Sequence, residues 1–384
     1  MIILNRPAHR TAAIMILGAL ATVCGCGSPV TAGTSPAATQ GTATTVASSS
    51  PGPPRSYLTA VSCVNSTFCV AVGADSGTGR SLAERWNGRR WRIMDAGAVT
   101  SRLSSVSCPS TTFCMAVGNA SAQLWDGTRW WAVKTPQGAG SRVQAVSCAA
   151  RRFCLAVGSD AAQVWNGVSW RVVSLPRPGI GLQAVSCPAV SYCLAVGSEQ
   201  NHAGTRSLSR ALHWTGRNWR ATHPPSPGRF ANLSGISCRT RATCVAIGWR
   251  GHCHQLPQPL GQHCFFSLRW DGRTWTPLPS PARTPLVANV ACGSATACLA
   301  VGDCNLTANC RGIMALVLHG RAWHQPPALA PGEHGSSLEG VSCWRRSGCI
   351  ATGGAVNSAG GLLPLAQSWN GLRWRVLPTA APVR

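Results

Sequence analysis

The chain of 384 residues combines few charged side chains (11%) with abundant glycine, proline and tryptophan, at 41, 26 and 16 residues. This composition argues against long solvated helices and favours many short strands joined by turns, so we expect an all-β protein. Lysine and arginine number 34 against 10 aspartates and glutamates, which gives a formal net charge of +24.

The positive charge is almost entirely arginine, because Lys134 is the only lysine. An arginine-rich surface attracts anionic polymers and lipid headgroups, although a coding bias towards arginine is an equal alternative. No basic stripe or nucleic-acid motif stands out, and the N-terminus predicts export. Nucleic acid is therefore not expected as a partner.

Residues 1–25 have the features of an export signal, with two arginines ahead of an apolar stretch, residues 11–23, that is too short to span a membrane. The stretch ends in Val-Cys-Gly-Cys, which resembles a bacterial lipobox. Cys26 is the predicted lipid acceptor because the small Gly25 precedes it, whereas a valine precedes Cys24. We expect anchoring to the extracytoplasmic face of the cell membrane, with cleavage and secretion as the alternative.

Residues 26–57 follow as a segment of Ala, Thr, Ser, Gly and Pro with almost no large apolar side chain. Such a segment cannot form a core, so we expect a disordered tether between the lipidated cysteine and the folded part. Its typical end-to-end distance would be about 30 Å.

Residues 58–384 contain one pattern seven times. Each copy has an apolar segment ending in Cys, five further residues, a second Cys, an Ala-Val-Gly-like segment, a variable stretch and then Trp-x-Gly-x-x-Trp. The copies span about 58–97, 98–140, 141–179, 180–229, 230–284, 285–335 and 336–384.

Besides the cysteine pairs, two sets of residues mark the repeat. The glycine four residues after each second cysteine is Gly73, Gly118, Gly158, Gly197, Gly248, Gly302 or Gly353. The tryptophan pairs are Trp86/Trp91, Trp125/Trp130, Trp165/Trp170, Trp214/Trp219, Trp270/Trp275 and Trp369/Trp374, with Leu318/Trp323 as the one departure. A large aromatic at fixed spacing in every copy favours packing between neighbouring copies over stacking on a sugar.

Successive first cysteines lie 39 to 54 residues apart, which is the range of four-stranded propeller blades. The third copy predicts strands at Val143–Cys148, Phe153–Gly158, Ala162–Trp165 and Trp170–Val173. Asn-Gly or Asp-Gly between the last two strands predicts a tight hairpin. We therefore predict an all-β seven-bladed β-propeller with four antiparallel strands per blade.

Ala-Val-Gly, a variable loop, Val-Trp-Asn-Gly-x-x-Trp and a Leu-Pro exit resemble the kelch/galactose-oxidase propeller repeat. The added Ser-Cys-x5-Cys signature resembles repeat proteins exported by actinobacteria. The sequence departs from kelch in having a single glycine where a doublet is usual, except at Gly353-Gly354, and tryptophan where kelch has tyrosine. The Tyr/Cys/His copper site of galactose oxidase maps onto no position of this chain.

Eighteen cysteines remain after Cys24 and Cys26 are set aside. An even, regularly spaced set in an exported protein predicts disulfides, and each C-x5-C pair flanks the first hairpin of a blade. The nine predicted disulfides are Cys63–Cys69, Cys108–Cys114, Cys148–Cys154, Cys187–Cys193, Cys238–Cys244, Cys253–Cys264, Cys292–Cys298, Cys304–Cys310 and Cys343–Cys349.

The one local cluster of histidine and cysteine is His252-Cys253-His254 followed by His263-Cys264. A transition-metal site is the alternative to a loop stapled by a disulfide, and we expect the staple, with no metal and no cofactor.

Enzyme chemistry is poorly supplied, because only ten carboxylates are present and two of them, Asp126 and Asp271, belong to hairpin turns. A glycosidase needs a carboxylate pair or, in sialidases, a tyrosine, and Tyr57 and Tyr192 are the only tyrosines. No catalytic residue is assigned.

In a four-stranded meander the turns after the first and third strands share one face, and the loops after the second strand share the other face with the links between blades. Length varies only on the second face, where recognition usually takes place. One candidate ligand-binding residue on this face is Trp249, in the longest insertion. The others are five arginines in the links between blades: Arg102, Arg142, Arg177, Arg229 and Arg283. A structural role of these arginines is the alternative, since the kelch repeat often has an arginine near this position.

These observations predict an exported, lipid-anchored propeller that acts as a monomeric binding or scaffolding module for a protein or an anionic polymer of the cell envelope. The alternative is a glycan-active or redox enzyme that uses the variable face. Carboxylates clustered beneath the mouth of the central channel would favour the enzyme.

Overall fold

The computed structural model describes residues 55–75, 77, 79–95, 102–118, 121–136, 143–159, 161–251, 263–281, 287–303, 313–326 and 336–380. Every regular element within these ranges is a β-strand. No helix of the described residues has the length and hydrophobicity to cross a membrane. The export signal, Cys26 and the tether up to residue 54 lie outside the described residues.

Twenty-eight strands form seven four-stranded antiparallel sheets, each built from four consecutive strands. Blades 1 to 4 contain β1 (Ser56–Asn65), β2 (Phe68–Asp75), β3 (Arg80–Trp86), β4 (Trp91–Ile93), β5 (Leu103–Ser110), β6 (Phe113–Gly118), β7 (Ser121–Trp125), β8 (Trp130–Val133), β9 (Val143–Ala150), β10 (Phe153–Gly158), β11 (Ala161–Trp165), β12 (Trp170–Ser174), β13 (Ile180–Ala189), β14 (Tyr192–Gln200), β15 (Ser207–Trp214) and β16 (Trp219–Thr222). Blades 5 to 7 contain β17 (Ala231–Thr240), β18 (Thr243–Gly251), β19 (His263–Trp270), β20 (Trp275–Leu278), β21 (Val287–Ser294), β22 (Ala297–Asp303), β23 (Ile313–His319), β24 (Ala322–His324), β25 (Ser336–Arg345), β26 (Gly348–Val356), β27 (Leu362–Trp369) and β28 (Trp374–Leu377).

The first strands of successive blades contact one another in a closed circle, because β1 contacts both β5 and β25. The predicted all-β seven-bladed propeller is confirmed. No strand is exchanged to close the ring, since the first and last sheets each consist of their own four consecutive strands. Blade 7 joins blade 1 through a parallel β-bridge between Arg55 and Leu362, through side-chain hydrogen bonds and through the segment after β28.

The core consists of seven hydrophobic clusters, each lying between two adjacent blades. Trp125 and Trp130 of blade 2, for example, pack against Val70 and Val72 of blade 1. The two tryptophans of each pair are direct cross-strand partners, with ring centroids 5.8 Å apart for this one. The prediction that the tryptophan pairs pack between blades is confirmed, and aromatic rings of this size fill the widening gap between twisted sheets.

All seven C-x5-C pairs form disulfides across the first hairpin of their blade: Cys63–Cys69, Cys108–Cys114, Cys148–Cys154, Cys187–Cys193, Cys238–Cys244, Cys292–Cys298 and Cys343–Cys349. Cys264 is also disulfide-bonded. Cys253, Cys304 and Cys310 lie outside the described residues, so the pairings Cys253–Cys264 and Cys304–Cys310 stay predictions.

The two ends of the propeller carry different connections, and we call them the turn face and the loop face. The turn face carries seven two-residue turns after the first strands. It also carries the turns after the third strands, which have four residues in six blades and two residues, Gly320 and Arg321, in blade 6. In five of the longer turns the first residue is Asn or Asp, and its side chain accepts hydrogen bonds from the backbone N–H groups two and three residues further on. Asn87, for example, accepts from Arg89 and Arg90. The opposite end, which carries the loops after the second strands and the links between blades, is the loop face.

Hairpins extend towards the loop face in only part of the ring. The second strand continues three residues past the repeat glycine in blades 4, 5 and 7, ending at Gln200, Gly251 and Val356. It continues two residues past it in blade 1 and one in blade 6, ending at Asp75 and Asp303. In blades 2 and 3 it ends at the glycine itself. The stretches that follow the repeat glycine in blades 4 and 7, residues 198–210 and 354–364, are therefore partly paired strands with short turns. The extra ladder hydrogen bonds explain why, since they satisfy backbone groups that a long loop would expose to water.

Candidate functional site

A central channel of about 640 Å³ runs along the first strands of the seven blades. In each first strand two residues are extra in the pairing with the second strand, and each makes a β-bulge. We call the one nearer the start of the strand the channel bulge. All seven channel-bulge residues line the channel: Thr59, Ser104, Gln144, Gln183, Ser234, Ala288 and Glu339. A bulge redirects the side chain of its extra residue, so the fold presents hydroxyl and amide groups to the channel.

The repeat glycine lies opposite each channel bulge. A Cβ atom on Gly197 would lie 1.9 Å from the carbonyl oxygen of Gly181, and one on Gly73 would lie 1.9 Å from that of Tyr57. The backbone of the bulged strand thus occupies the space that any side chain would need. This explains the glycine at this point in the repeat by close approach of two backbones rather than by left-handed geometry.

At the loop-face mouth of the channel, Arg102 of blade 2 forms an ion pair with Glu339 of blade 7, with Nη2 and Oε2 3.5 Å apart. The guanidinium also lies over the ring of Tyr57, 5.3 Å from its centroid. Arg102 was predicted to bind ligand. That role stays a prediction. The charge of Arg102 is partly compensated within the propeller, and the ion pair spans blade 1 at the closure of the ring.

A second cleft, of about 660 Å³, lies beside the projecting hairpin of blade 4. Its lining includes Asn201, Thr205 and Arg206 of the hairpin turn, and Ser226 and Arg229 of the link to blade 5. We call it the blade-4 cleft. The side chain of Asn201 fixes the turn by accepting a hydrogen bond from the Arg206 N–H at 2.9 Å.

The link is held against the hairpin of blade 4. The N–H of Ser207 donates to the carbonyl of Arg229 at 2.9 Å, and the N–H of Ser209 donates to the Ser226 hydroxyl at 2.9 Å. The exposed side chains of Arg206 and Arg229 therefore project from a braced backbone. Such a cleft can hold an anionic group between two guanidinium forks.

The remaining predicted ligand residues are dispersed. Arg177 is exposed in the link before blade 4. Trp249 is half-buried in the extended ladder of blade 5, opposite Asn232 and Phe265, which is a packing position. Arg142 and Arg283 lie outside the described residues, as do His252, Cys253 and His254.

The described carboxylates have structural surroundings. Asp126 and Asp271 hold turns on the turn face, and their pKa values are lowered, that of Asp126 mainly by the hydrogen bond from the Trp131 indole and that of Asp271 by backbone N–H groups. Glu199 pairs with Arg210. Glu339 is the only carboxylate among the described residues of the channel lining, and it is the partner of Arg102. The described part of the chain contains no cluster of three His, Cys, Asp or Glu residues able to hold a metal.

Tyr192 and His213 lie together between blades 4 and 5, with ring centroids 4.2 Å apart. The Tyr192 hydroxyl accepts a hydrogen bond from the Trp270 indole at 2.8 Å. Burial raises the pKa of Tyr192 and lowers that of His213, so both groups favour their neutral forms. Tyr192 thus takes the place of a backbone carbonyl, which accepts the equivalent bond in blades 1 to 3.

Neither the channel-bulge residues nor the blade-4 cleft was predicted from the sequence. A usable signal for the channel-bulge residues exists, because the residue four positions before the first cysteine of each C-x5-C pair is small or polar in all seven copies. No comparable signal marks the cleft, since residues 201–206 and 226–229 meet only through tertiary hydrogen bonds.

No family model matches the chain, and no curated protein matches its sequence. Solved structures do match its fold. Three of these are YCF48 bound to D1 peptide (13% identity, TM-score 0.54, 83% of this chain and 93% of that one), YCF48 from Cyanidioschyzon merolae (15%, 0.54, 83% and 97%) and the WD40 β-propeller domain of Doa1 (11%, 0.55, 81% and 92%). At such identities the likeness defines the fold alone: the chain is a seven-bladed β-propeller with WD40-like structural neighbours. The kelch assignment stays a prediction from the sequence.

Proposed function

We propose that this propeller is a binding module that holds an acidic segment of a partner protein on its loop face, at the blade-4 cleft and the adjacent channel mouth. The propeller fold is of the kind used for protein binding and scaffolding, and one structural neighbour is described as bound to a peptide. The observation that carries the proposal is that the hairpins extend furthest towards the loop face in blades 4, 5 and 7, whereas the second strands of blades 2 and 3 end at the repeat glycine.

The chemistry of the cleft supports an acidic partner. Arg206 and Arg229 are exposed, and no hydrogen bond or ion pair of their guanidinium groups occurs within the described residues. Arginine binds carboxylates through paired N–H donors, which adds geometry to charge. The hydroxyl and amide groups that line the channel offer further hydrogen bonds to a peptide backbone but little acid–base chemistry. The same groups would also accept an anionic envelope polymer, which the test separates.

The test is site-specific photo-crosslinking of the native envelope, with the photoreactive residue at Thr205 in the cleft or at Val168 on the turn face. Both side chains are exposed, so both variants should fold. We expect a discrete protein adduct from Thr205, lost on adding Arg206→Gln and Arg229→Gln. The matched control, Arg171→Gln with Arg220→Gln, removes the same charge from exposed positions on outer strands and should keep the adduct. A carbohydrate or polyphosphate adduct at Thr205, or a protein adduct from Val168 alone, contradicts the proposal.

We further propose that the module is of the exported, kelch-like type and is held at the extracytoplasmic membrane face through lipidated Cys26. Seven disulfides support export, because such bonds persist in oxidising compartments and are rare in the cytosol.

A further inference from the structure

The connections of the turn face are short in every blade. Its turns after the first strands have two residues in all seven blades, and its turns after the third strands have four residues in six blades and two in blade 6. The two kinds of turn pack together, since a Cβ on Gly88 would meet Thr67 at 3.0 Å and one on Gly371 would meet Ser347 at 2.7 Å. All fourteen turns belong to the described residues, so the composition of this face is known completely.

Arginine dominates the turn face. Thirteen exposed arginines lie in or directly beside the turns, at least one in every blade: Arg89, Arg90, Arg129, Arg151, Arg152, Arg217, Arg239, Arg241, Arg273, Arg321, Arg345, Arg346 and Arg373. The only acidic residues in the turns are Asp126 and Asp271, whose oxygens hold turn N–H groups. Thirteen of the 34 lysines and arginines of the chain therefore lie on the face opposite the one that the five link arginines indicated.

Few of these arginines have partners. Arg129 stacks over Trp131 at 3.6 Å, and Arg241 donates to the hydroxyl of Ser191 at 2.6 Å. None of the thirteen forms an ion pair within the described residues. A ring of uncompensated guanidinium groups destabilises the isolated protein through mutual repulsion and gains favourable energy when an anionic surface covers it.

Apolar side chains stand at the tips of three turns. Val168 is 84% exposed, Leu372 is 80% exposed and Val190 is 50% exposed. Val168 and Leu372 are the most exposed large hydrophobic residues of the described chain. Tip positions make no contribution to a core, so their apolar character has no explanation within the fold.

We propose that the turn face docks on the surface of an anionic phospholipid bilayer. The arginines would contact lipid phosphates, while Val168, Val190 and Leu372 enter the boundary between headgroups and acyl chains. A face with short turns and with charge in all seven blades fits a plane. A linear polyanion would be expected to follow a groove, and apolar tips offer it nothing. This docking would leave the loop face directed away from the membrane, and it depends on none of the residues in the blade-4 cleft.

The test uses the full chain with Cys24→Ser and Cys26→Ser, so that no acyl chain is attached, and vesicles of equal parts phosphatidylglycerol and phosphatidylcholine. Co-sedimentation gives a partition coefficient. Replacing Arg217, Arg321 and Arg346 by Gln should lower it roughly a hundredfold, since each arginine near an anionic surface contributes about fivefold. The matched control replaces Arg177, Arg206 and Arg229 by Gln on the loop face and should change it less than about threefold. Equal losses in both triple variants would mean that only net charge matters, and no loss in either would mean that this face does not bind lipid. Both results overturn the proposal.

A second pair of measurements separates a bilayer from a soluble polyanion. The variant with Val168→Ser and Leu372→Ser should bind the vesicles several-fold more weakly and bind polyphosphate as the parent chain does. All substituted side chains are exposed, and unchanged thermal unfolding would verify the fold. If the double serine variant keeps full vesicle binding, or if polyphosphate displaces the parent chain from vesicles at stoichiometric amounts, a polymer is the occupant and the bilayer proposal is wrong. Crosslinks at Thr205 report on the other face, so either proposal can fail alone.

Discussion

The hydroxyl of Ser342 in the last blade accepts a hydrogen bond of 2.9 Å from the backbone N–H of Cys63 in the first blade. The same bond joins each of the five neighbouring pairs from blades 1 and 2 to blades 5 and 6. In every case the backbone N–H of the first cysteine of one blade donates to the hydroxyl of the serine that precedes the first cysteine of the blade before it. Ala291 interrupts this ring between blades 6 and 7. The Ser-Cys dipeptide of the repeat thus unites two functions, a bond between blades and a bond within one.

Ser342→Ala should destabilise the propeller by about 1 kcal/mol, because it leaves the N–H of Cys63 without its acceptor. The change also weakens the joint between the first and last blades. Denaturant midpoints measure the stability, and hydrogen exchange at the Cys63 amide should accelerate more than at Cys148. The reverse change, Ala291→Ser, offers the missing acceptor to blade 7 and should stabilise by a similar amount. Equal exchange at both amides in Ser342→Ala would show that the bond does not hold the ring closed.

Gly197→Ala tests the close approach at the channel bulges. Its Cβ would lie 1.9 Å from a backbone carbonyl oxygen, so the two strands must separate, and we expect a loss of at least about 2 kcal/mol in unfolding free energy. Gly181→Ala is the matched control, because its nearest neighbour would be 3.8 Å away and its backbone needs no left-handed geometry. Thermal unfolding of the two variants compares them directly. A Gly197→Ala protein as stable as the control would contradict the steric explanation.

The sequence allowed prediction of the strands, blades and seven hairpin disulfides because each depends on contacts within one repeat. Strands of the third blade were predicted at Phe153–Gly158 and observed there, with Trp165 and Trp170 paired as the repeat indicated. The spacing of Cys and Trp records positions that every blade shares. Local sequence therefore sufficed for the scaffold.

The candidate sites were less predictable because they depend on differences between blades. The sequence placed Arg102 on the correct face but could not show that Glu339, more than two hundred residues away, would pair with it. It also placed the arginine ring in the links, whereas the larger number of arginines lies in turns that were treated as constant scaffold. The turns vary little in length among the copies and were therefore treated as scaffold, although they share an excess of arginine.

Cys26→Ala tests the anchor. The substitution removes the thiol that follows the small residue in the lipobox-like segment, so lipidation should disappear and the chain should move from the membrane fraction to the soluble fraction in high salt. High salt matters because it screens the turn-face arginines, which would otherwise hold the unlipidated chain on anionic lipid. Labelling with a fatty-acid analogue measures the modification, and Cys24→Ala is the control that should retain it. Persistent labelling of Cys26→Ala would contradict the assignment.

Glu84 is the one fully buried carboxylate of the described chain, and it lies at the closure of the ring. Its Oε2 accepts a hydrogen bond of 3.2 Å from the N–H of Ala380, in the segment after the last strand, while Oε1 has no hydrogen-bond partner among the described residues. Blades 2, 3 and 7 have buried glutamines at the same place, two residues before the first tryptophan: Gln123, Gln163 and Gln367. The site is therefore shaped for a neutral side chain, and burial raises the pKa of Glu84 to about 7.

Glu84→Gln should consequently stabilise the propeller at neutral and alkaline pH. Because the folded pKa lies near 7 and the unfolded value near 4.5, folded chains keep a proton that unfolded chains release between these limits. Unfolding free energy should fall as pH rises through this window, by up to about 3 kcal/mol in total, and Glu84→Gln should abolish the fall. The two proteins should be equally stable at pH 4, and the variant should be more stable at pH 8, as measured by urea unfolding across the range. Glu199→Gln, which removes a half-exposed carboxylate, serves as the control and should retain the parent's slope. The prediction is wrong if the stability of the parent chain stays level or rises from pH 4.5 to 7 and the Glu84→Gln variant shows the same curve. That result would mean that Glu84 is ionised and fully hydrogen-bonded in the folded ring.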